Sequence, residues 1–178
     1  MCKKLAVKED YDKSAIYYDR RYARIQYLKY NMVSRHLPVG GLLFDLGCGT
    51  ALILKLKKLA EIRYIGVDIS SMMIKIALKR RHPHKNFIIG DVEHLPLRKN
   101  VAEVISAFTI LQNLEDYARF INEVRRVLIE GGLLILSVLK KNLNLNYLKN
   151  ILERNNLIVE RIIEEKDSED LGLIISSI

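Results

Sequence analysis

Two glycines that follow an apolar run constrain the fold of this chain more than any other feature. Leu42 to Phe44 predicts a short buried strand, and Gly47 and Gly49 permit a tight turn with close backbone approach to a ligand. The residues from Ala51 onward predict a helix. A strand, a glycine turn and a helix form a nucleotide cradle, because the helix start offers free backbone N–H groups.

A second apolar run, Tyr64 to Val67, ends in Asp68. A carboxylate at the end of this predicted strand can accept hydrogen bonds from both ribose hydroxyls of an adenosine. The two segments together predict an adenosine-containing cofactor.

The loop residues indicate which cofactor this is. A dinucleotide-binding loop carries a third glycine where this chain has Leu52, whose side chain would obstruct close packing of helix on strand. Asp45, directly before the turn, would repel a pyrophosphate but attract the ammonium and sulfonium groups of S-adenosylmethionine. The charge pattern therefore favours S-adenosylmethionine.

Four motifs make the chain similar to the class I, Rossmann-like S-adenosylmethionine-dependent methyltransferases. The resemblance is to their small methyltransferase-domain-11-like branch, which includes quinone-biosynthesis and some RNA methyltransferases. The motifs are Asp-Leu-Gly-Cys-Gly-Thr-Ala at 45–51, Gly-Val-Asp-Ile-Ser at 66–70 with Met72 and Met73, Gly-Asp-Val at 90–92 with Leu-Pro-Leu at 95–97, and the segment 123–132.

Alternating strand and helix patterns predict an α/β fold with a doubly wound sheet. The predicted strands are Leu42–Leu46, Tyr64–Asp68, Asn86–Gly90, Val101–Ala107, Gly132–Leu139, Ile158–Glu165 and Leu171–Ile178. The predicted helices are Ala51–Ala60, Ser71–Arg81, Tyr117–Val127 and Leu145–Asn155, after a helical stretch from Asp10 to His36, with Ser70 or Ser71 and Asp116 as N-caps.

The last two predicted strands lack an intervening helix, so the final strand should run antiparallel to its partner. The resemblance implies a seven-stranded sheet in the order 3-2-1-4-5-7-6. We expect one structural domain in which residues 1–41 form an N-terminal helical lid and residues 42–178 form the cofactor-binding core, without a separate substrate domain.

The resemblance implies roles for particular residues at the cofactor site. Asp91 would accept the adenine amino group beside Val92, Ile69 and Met73 would pack on the adenine, and Tyr18 would approach the methionine end. Each has a structural alternative as a turn, cap or core residue. The predicted cofactor contacts are Tyr18, Asp45, Gly47, Cys48, Gly49, Asp68, Ile69, Met73, Asp91, Val92 and Ala107, and Arg21 or Arg24 could meet the cofactor carboxylate.

The acceptor should bind after the fourth strand, around residues 106–113. This segment lacks the Asn/Asp-Pro-Pro-Tyr sequence of methyltransferases that act on exocyclic amino groups or glutamine amides. No catalytic residue is assigned, because an acceptor that is an anion or a neutral nitrogen needs no general base. The substrate-side candidates are Gln112, Asn113 and Tyr18.

The formal charge of +8 is concentrated in the first half of the chain. A basic surface near the cofactor suits a polyanion, so the leading prediction is methylation of tRNA or rRNA, with a small activating protein as partner. A small-molecule methyltransferase acting on a quinone or other metabolite is one alternative, and a non-catalytic cofactor-binding subunit is another.

Membrane, secretion and metal signals are missing from the sequence. No apolar run approaches the roughly 20 residues of a spanning helix, and the basic start is not followed by an apolar stretch. Cys2 and Cys48 have no zinc or disulfide spacing. We expect a cytoplasmic protein without a membrane span or a metal.

Overall fold

A seven-stranded mixed sheet forms the centre of the protein. The computed structural model describes residues 3–80, 84–141 and 143–178, so Cys2 and the predicted helix end at Arg81 lie outside the described residues. The strands are β1 (Leu42–Leu46), β2 (Arg63–Asp68), β3 (Lys85–Ile89), β4 (Ala102–Phe108), β5 (Leu128–Leu139), β6 (Leu157–Glu164) and β7 (Asp170–Ser177).

The strand order is β3-β2-β1-β4-β5-β7-β6, as predicted. The first five strands pair in parallel, and β7 runs antiparallel to both β5 and β6. The predicted fold class is therefore confirmed. In such a sheet the carboxyl ends of β1 to β5 lie along one edge, where open α/β sheets bind their ligands.

Helices cover both faces of the sheet, and the sheet separates the apolar core into two clusters. The helices are α1 (Lys3–Val33), α2 (Ser71–Leu78), α3 (Tyr117–Val127) and α4 (Leu145–Arg154). On one face α3 and α4 bury apolar side chains, and on the other face α1 and α2 do so. The buried apolar residues of α3 and α4 recur at helical spacing, so each of these two helices has one face to bury.

Helix α1 is longer than the sequence predicted and crosses the carboxyl edge of the sheet. It begins at Lys3 rather than Asp10 and ends at Val33, before a short 3-10 turn at Ser34–His36. Along its length it contacts Asp91 after β3, Ser70 after β2 and Thr109 after β4. The N-terminal helical region therefore lies over the edge where a ligand would bind.

The predicted helix at Ala51–Ala60 is wrong. Two 3-10 turns, Leu52–Lys55 and Lys57–Leu59, replace it, and Ala51 has a left-handed backbone. Consecutive residues of an α-helix are 100° apart, so a helix with one buried face cannot bury three in a row. Leu52, Ile53 and Leu54 are all buried, because the sheet and α1 enclose this segment from two sides.

Other boundaries follow local chemistry. Ser70 caps α2 by accepting a hydrogen bond from the backbone N–H of Met73, and Asp116 caps α3, as predicted. Strand β5 begins at Leu128 rather than Gly132, because α3 passes directly into the strand through a β-bulge with Gly131 at φ +72°.

Candidate functional site

A cavity of about 520 Å³ opens between α1 and the carboxyl edge of the sheet. Its walls come from the loops after β1, β2, β3 and β4 and from the inner face of α1. Ten of the residues that the sequence predicted for cofactor or acceptor line it: Tyr18, Gly47, Gly49, Asp68, Ile69, Met73, Asp91, Val92, Gln112 and Asn113.

The turn after β1 requires its glycines. Gly47 has φ +73°, and a Cβ atom there would lie 2.6 Å from Cδ1 of Ile110. Gly49 has φ +54° and faces the Tyr18 ring across the cavity. The backbone N–H groups of Gly47 and Cys48 both donate to the carbonyl oxygen of Val67, at 2.7 and 3.1 Å, which fixes the turn against β2. The turn therefore leaves backbone exposed to the cavity.

Asp68 is held rigidly at the cavity wall. Oδ2 accepts a hydrogen bond of 2.8 Å from the N–H of Gly49, and Oδ1 accepts one of 2.8 Å from the N–H of Ser70. Burial raises the pKa of the Asp68 carboxyl, and the backbone N–H groups partly offset this effect. Each oxygen has a second lone pair, so the side chain can still accept hydroxyl donors from the cavity.

Asp91 already has a partner from α1. Its Oδ2 binds the Lys4 ammonium at 2.6 Å, and Oδ1 accepts from the N–H of Glu93 at 2.9 Å. Burial alone would raise the pKa of Asp91, but the hydrogen bonds from Lys4 and Glu93 outweigh it and hold the pKa below its usual value. Lys4 also lies 3.1 Å from Oε2 of the buried Glu93. No motif predicts this pairing, because Lys4 is distant in sequence from both carboxylates.

Asp45 lies under the glycine turn rather than in the large cavity. Its carboxylate accepts hydrogen bonds of 2.7 Å from the hydroxyls of Tyr64 and Ser106. Burial raises the pKa of Asp45 to about 6, although both hydroxyls favour the charged form. Asp45 and Cys48 line a second cavity of about 20 Å³ that also touches Tyr18. Ala107 is fully buried in β4 and lines neither cavity.

Gln26 is a cavity residue that sequence reasoning missed. It is buried, lines both cavities, and donates from Nε2 to the Tyr18 hydroxyl at 3.0 Å. Its Oε1 is buried without a hydrogen-bond partner within the described ranges. An unpaired buried acceptor costs free energy, so this oxygen is suited to receive a donor from a ligand. Arg21 and Arg24, which the sequence suggested nearby, are exposed on the outside of α1.

Polar anchors fasten the middle of α1 to the sheet edge. Asp12 accepts hydrogen bonds from the Ser70 hydroxyl at 2.6 Å and from the N–H of Met72 at 3.2 Å. Asp19 pairs with Arg80 and accepts a hydrogen bond from Thr50. These pairings join residues distant in sequence, so only the fold reveals them.

The part of the cavity beyond β4 contains a buried ion pair. The Lys29 ammonium lies 3.2 Å from Oδ1 of Asp170 and donates to Oγ1 of Thr109 at 2.6 Å. The substrate-side candidates have structural partners here: Gln112 donates to the carbonyl oxygen of Thr109, and Asn113 donates to the Tyr11 hydroxyl. Sequence reasoning missed Lys29 and Asp170, which carry no motif.

The described residues contain neither a cluster of metal ligands nor a helix that could cross a membrane. No group of three or more His, Cys, Asp or Glu side chains in them is arranged to hold a metal ion. None of their helices has both the length and the apolar character needed to cross a bilayer.

Comparison with known proteins identifies the family to which the chain belongs. Residues 44–136, which contain the glycine turn, Asp68 and Asp91, match the family described as Methyltransferase domain. The chain belongs to this methyltransferase family. Its cavity lies at the carboxyl ends of the parallel strands, where open α/β sheets bind their ligands.

Relatives and solved structures extend the likeness. An uncharacterized protein of Methanocaldococcus jannaschii is 31% identical over 92% of this chain and 63% of its own length. The demethylmenaquinone methyltransferase of Thermotoga maritima is 36% identical over 55% of this chain and 44% of its own length. The chain therefore spans less than two thirds of the length of either relative.

A similar fold occurs in the complex between the Haloferax volcanii Trm112 methyltransferase activator and a candidate methyltransferase. The TM-score is 0.81 at 15% identity, and the match covers 96% of this chain and 96% of the matched chain. At this identity the likeness concerns the fold alone.

The cavity fits the cofactor of this methyltransferase family. Among the described residues that line it, five are acidic and two are lysines, so the walls suit a cationic ligand. Gly47 and Gly49 of the turn line the cavity, and Oε1 of Gln26 offers an unused acceptor. S-adenosylmethionine, with a sulfonium, an ammonium and two ribose hydroxyls, matches this set of acceptors.

Proposed function

We propose that this chain is an S-adenosylmethionine-dependent methyltransferase that acts on a small organic acceptor. The observation that carries the proposal is the acidic cavity between the glycine turn and α1. It combines acceptors for a cationic nucleoside with further space beyond β4. When bound, S-adenosylmethionine supplies an electrophilic methyl group on its sulfur.

The residues that would hold the cofactor lie along one line of the cavity. Asp91 and Val92 would meet the adenine, Asp68 the ribose, and the turn at Gly47 and Gly49 the methionine portion. Ile69 and Met73 line the wall between the first two of these positions and offer apolar contact to the base. Tyr18, Gln26 and the buried Asp45 would surround the methionine end, and Ala107 would support the wall from β4.

Helix α1 would act as a lid in this function. It covers the cavity and is fastened by Lys4, Asp12, Asp19 and Lys29 along its length. A lid excludes water and strengthens electrostatic interactions within a site. The division into an N-terminal lid at 1–41 and a core at 42–178 belongs to this proposal.

A small acceptor is favoured because α1 also covers the space beyond β4. Ile25 of α1 lines this space together with Phe108, Ile110 and Leu139, which give it an apolar wall beside the buried Lys29. A compact organic molecule fits a partly apolar space under a helix better than a base held in a polymer. The named activity of the Thermotoga maritima relative, on demethylmenaquinone, belongs to the same class of acceptor.

RNA is the second candidate acceptor, supported by the outer face of α1. Lys13, Arg20, Arg21 and Arg24 are exposed there, with Tyr17 and Tyr27 between and beyond them. Such a surface can attract phosphates and stack bases. An activating protein would accompany this function, as in the Haloferax volcanii complex. A cytoplasmic location remains a prediction under both candidates.

Calorimetric titration with S-adenosylhomocysteine, the demethylated cofactor, tests the cofactor assignment. Asp68→Ala should weaken binding by roughly 1 to 3 kcal/mol, because hydrogen bonds to a carboxylate are lost. Asp167→Ala, at an exposed position in the β6–β7 turn, is the matched control and should bind like the wild type. Absence of binding to the wild type would overturn the proposed function, and unchanged affinity of Asp68→Ala would remove the ribose assignment.

Radiolabelled S-adenosylmethionine then tests the acceptor. The protein is incubated with separate small-molecule, RNA and protein pools from cells that lack the gene. We expect label in the small-molecule pool. Label in RNA alone, lost steeply as salt rises, would establish the second candidate instead. Cofactor binding without transfer to any pool, with a partner supplied, would indicate a non-catalytic subunit.

A further inference from the structure

The buried lysine beyond β4 has an unusual setting. Lys29 and Asp170 are 5% and 0% exposed, and Lys29 still lines the cavity. Thr109 joins the pair, because its hydroxyl accepts from Lys29 at 2.6 Å and donates to Oδ2 of Asp170 at 2.6 Å. Ser137 donates to the same Oδ2 at 2.8 Å. Three side chains, from β5, β7 and the loop after β4, therefore form the network that holds the Lys29 ammonium of α1 at the cavity wall.

Fold stability does not account for this arrangement. Taking two charges out of water costs about as much as their attraction returns, so apolar side chains would serve the core as well. Thr109 is a β-branched residue with φ +53°, a backbone conformation that such residues strongly disfavour. Strained residues and buried charges beside a cavity are characteristic of binding sites. The network is therefore better explained by a ligand than by packing.

The donors of Lys29 show what the ligand must offer. An ammonium group has three N–H donors, and Thr109 receives one of them. Oδ1 of Asp170 lies 3.2 Å away as the counterion, but it has no hydrogen-bond partner among the described residues. In the described part of the chain no further partner of this ammonium is recorded, and the side chain lines the cavity. Glu169 also lines this part of the cavity but is exposed, where solvent and salt screen its charge. A donor not used by Thr109 therefore suits an oxygen of a bound molecule.

The remaining walls define the rest of the molecule. Ile25, Phe108, Ile110 and Leu139 surround the space next to Lys29 with apolar surface. Histidine, the usual general base near neutral pH, is absent from the described cavity walls. An acceptor that arrives already ionised needs no base to remove a proton. A compact apolar body with one ionised oxygen satisfies both conditions.

We propose that Lys29, held by Thr109 and Asp170, binds the methyl acceptor through an ionised oxygen such as a carboxylate, phenolate or enolate. This rests on the proposed function, because the acceptor must lie beyond the methionine end of the cofactor. Lys29 binds and orients the acceptor, and Asp170 and Thr109 hold the ammonium in position.

Binding of three probes of one shape tests this inference. The protein is saturated with S-adenosylhomocysteine and titrated with benzoate, benzyl alcohol and benzylamine, which carry a negative, a neutral and a positive group. Benzoate should bind most tightly. Lys29→Met should weaken benzoate by about tenfold or more, the effect of losing a charged hydrogen bond, and should leave benzyl alcohol unchanged.

Two further variants keep the result interpretable if Lys29→Met destabilises the protein. Lys29→Met leaves Asp170 buried without its cation, so the double variant Lys29→Met/Asp170→Asn removes both charges and should lose benzoate selectivity equally. Lys13→Met is the matched control, because Lys13 lies on the outer face of α1 with its side chain 73% exposed. It should bind benzoate like the wild type.

The outcomes separate this inference from the proposed function. Failure of the wild type to bind S-adenosylhomocysteine contradicts the proposed function. Normal binding of S-adenosylhomocysteine, with no benzoate binding or with benzylamine preferred, contradicts the inference alone. Unchanged benzoate affinity in the double variant also contradicts it.

Discussion

The two ends of α1 are fastened by the same chemistry in different surroundings. At one end Lys4 pairs with Asp91, and their side chains are 21% and 25% exposed. At the other end Lys29 pairs with Asp170, and their side chains are 7% and 0% exposed. When the Lys4–Asp91 pair breaks, water can hydrate both charges. When the Lys29–Asp170 pair breaks, both charges stay buried without hydration.

This difference predicts which end of the lid helix α1 detaches first. Partly exposed ion pairs contribute little to stability, but breaking a buried pair leaves an uncompensated charge. The C-terminal half of α1 also packs into the core through Tyr30, Met32 and Val33. We therefore expect α1 to open from the Lys4 end while the Lys29 end stays attached.

The largest effect should come from the buried end. Asp170→Ala leaves the Lys29 ammonium buried without its counterion and should lower the free energy of unfolding by about 3 to 5 kcal/mol, measured in urea. Asp91→Ala is the matched change at the other end and should cost about 1 kcal/mol or less. Equal losses at the two ends would contradict the proposed direction of opening.

Asp45 provides a buried carboxylate with hydroxyl partners instead of a lysine. Its folded pKa of about 6 exceeds its ordinary value of 3.8, so between these pH values the folded chain binds more protons than the unfolded chain. Its ionisation therefore lowers stability as pH rises from about 4 to about 6. Relative to Asp45→Asn, the wild type should lose up to about 3 kcal/mol over this range.

Urea unfolding of both proteins at several pH values measures this difference, in which the contributions of other groups cancel. A constant difference between the wild type and Asp45→Asn would show that Asp45 does not titrate in this range. It would also mean that the hydrogen bonds from Tyr64 and Ser106 fully offset the cost of burying its charge.

The middle of α1 depends on the N-cap of α2. Ser70→Ala removes both the cap to Met73 and the hydrogen bond to Asp12, and should cost about 1 to 2 kcal/mol of unfolding free energy. Asn144→Ala removes the corresponding cap of α4, which packs against β6 and α3, and should cost about 1 kcal/mol. A double-mutant cycle of Ser70→Ala with Asp12→Ala should give a coupling of about 0.5 kcal/mol or more. No coupling would mean that this anchor does not hold the lid.

The smallest effect should come from Lys4→Met, about 1 kcal/mol at neutral pH, because the partly exposed Asp91 is rehydrated and the buried Glu93 keeps its hydrogen bond from the N–H of Asp116. The depressed pKa of Asp91 means that its pairing with Lys4 stabilises the fold above pH 3.8 and is lost as pH falls through the lower folded pKa. The cost of Lys4→Met should therefore disappear in acid. Hydrogen exchange should become faster in the first turns of α1 and stay unchanged near Lys29. Faster exchange at both ends would contradict opening from one end.

Much of the fold was predictable because short-range patterns determine it. The apolar runs that end at Leu46 and Asp68, the glycines at 47 and 49 and the caps at Ser70 and Asp116 each act within a few residues. The resemblance then supplied the strand order. The cofactor side of the cavity follows from the same local segments, because parallel strands bring their carboxyl ends together.

Local patterns in the sequence were enough to predict the strands, the antiparallel final strand and the cavity at the carboxyl edge of the sheet. Long-range packing set the conformation of Leu52–Lys55, because α1 and the sheet enclose it and three successive side chains are buried. It also decided the pairing of Lys29 with Asp170 and the unpaired oxygen of Gln26. A long helix that crosses the sheet edge brings distant residues together, and the Coulomb and desolvation energies of such groups depend on their distances in space, which no local pattern encodes.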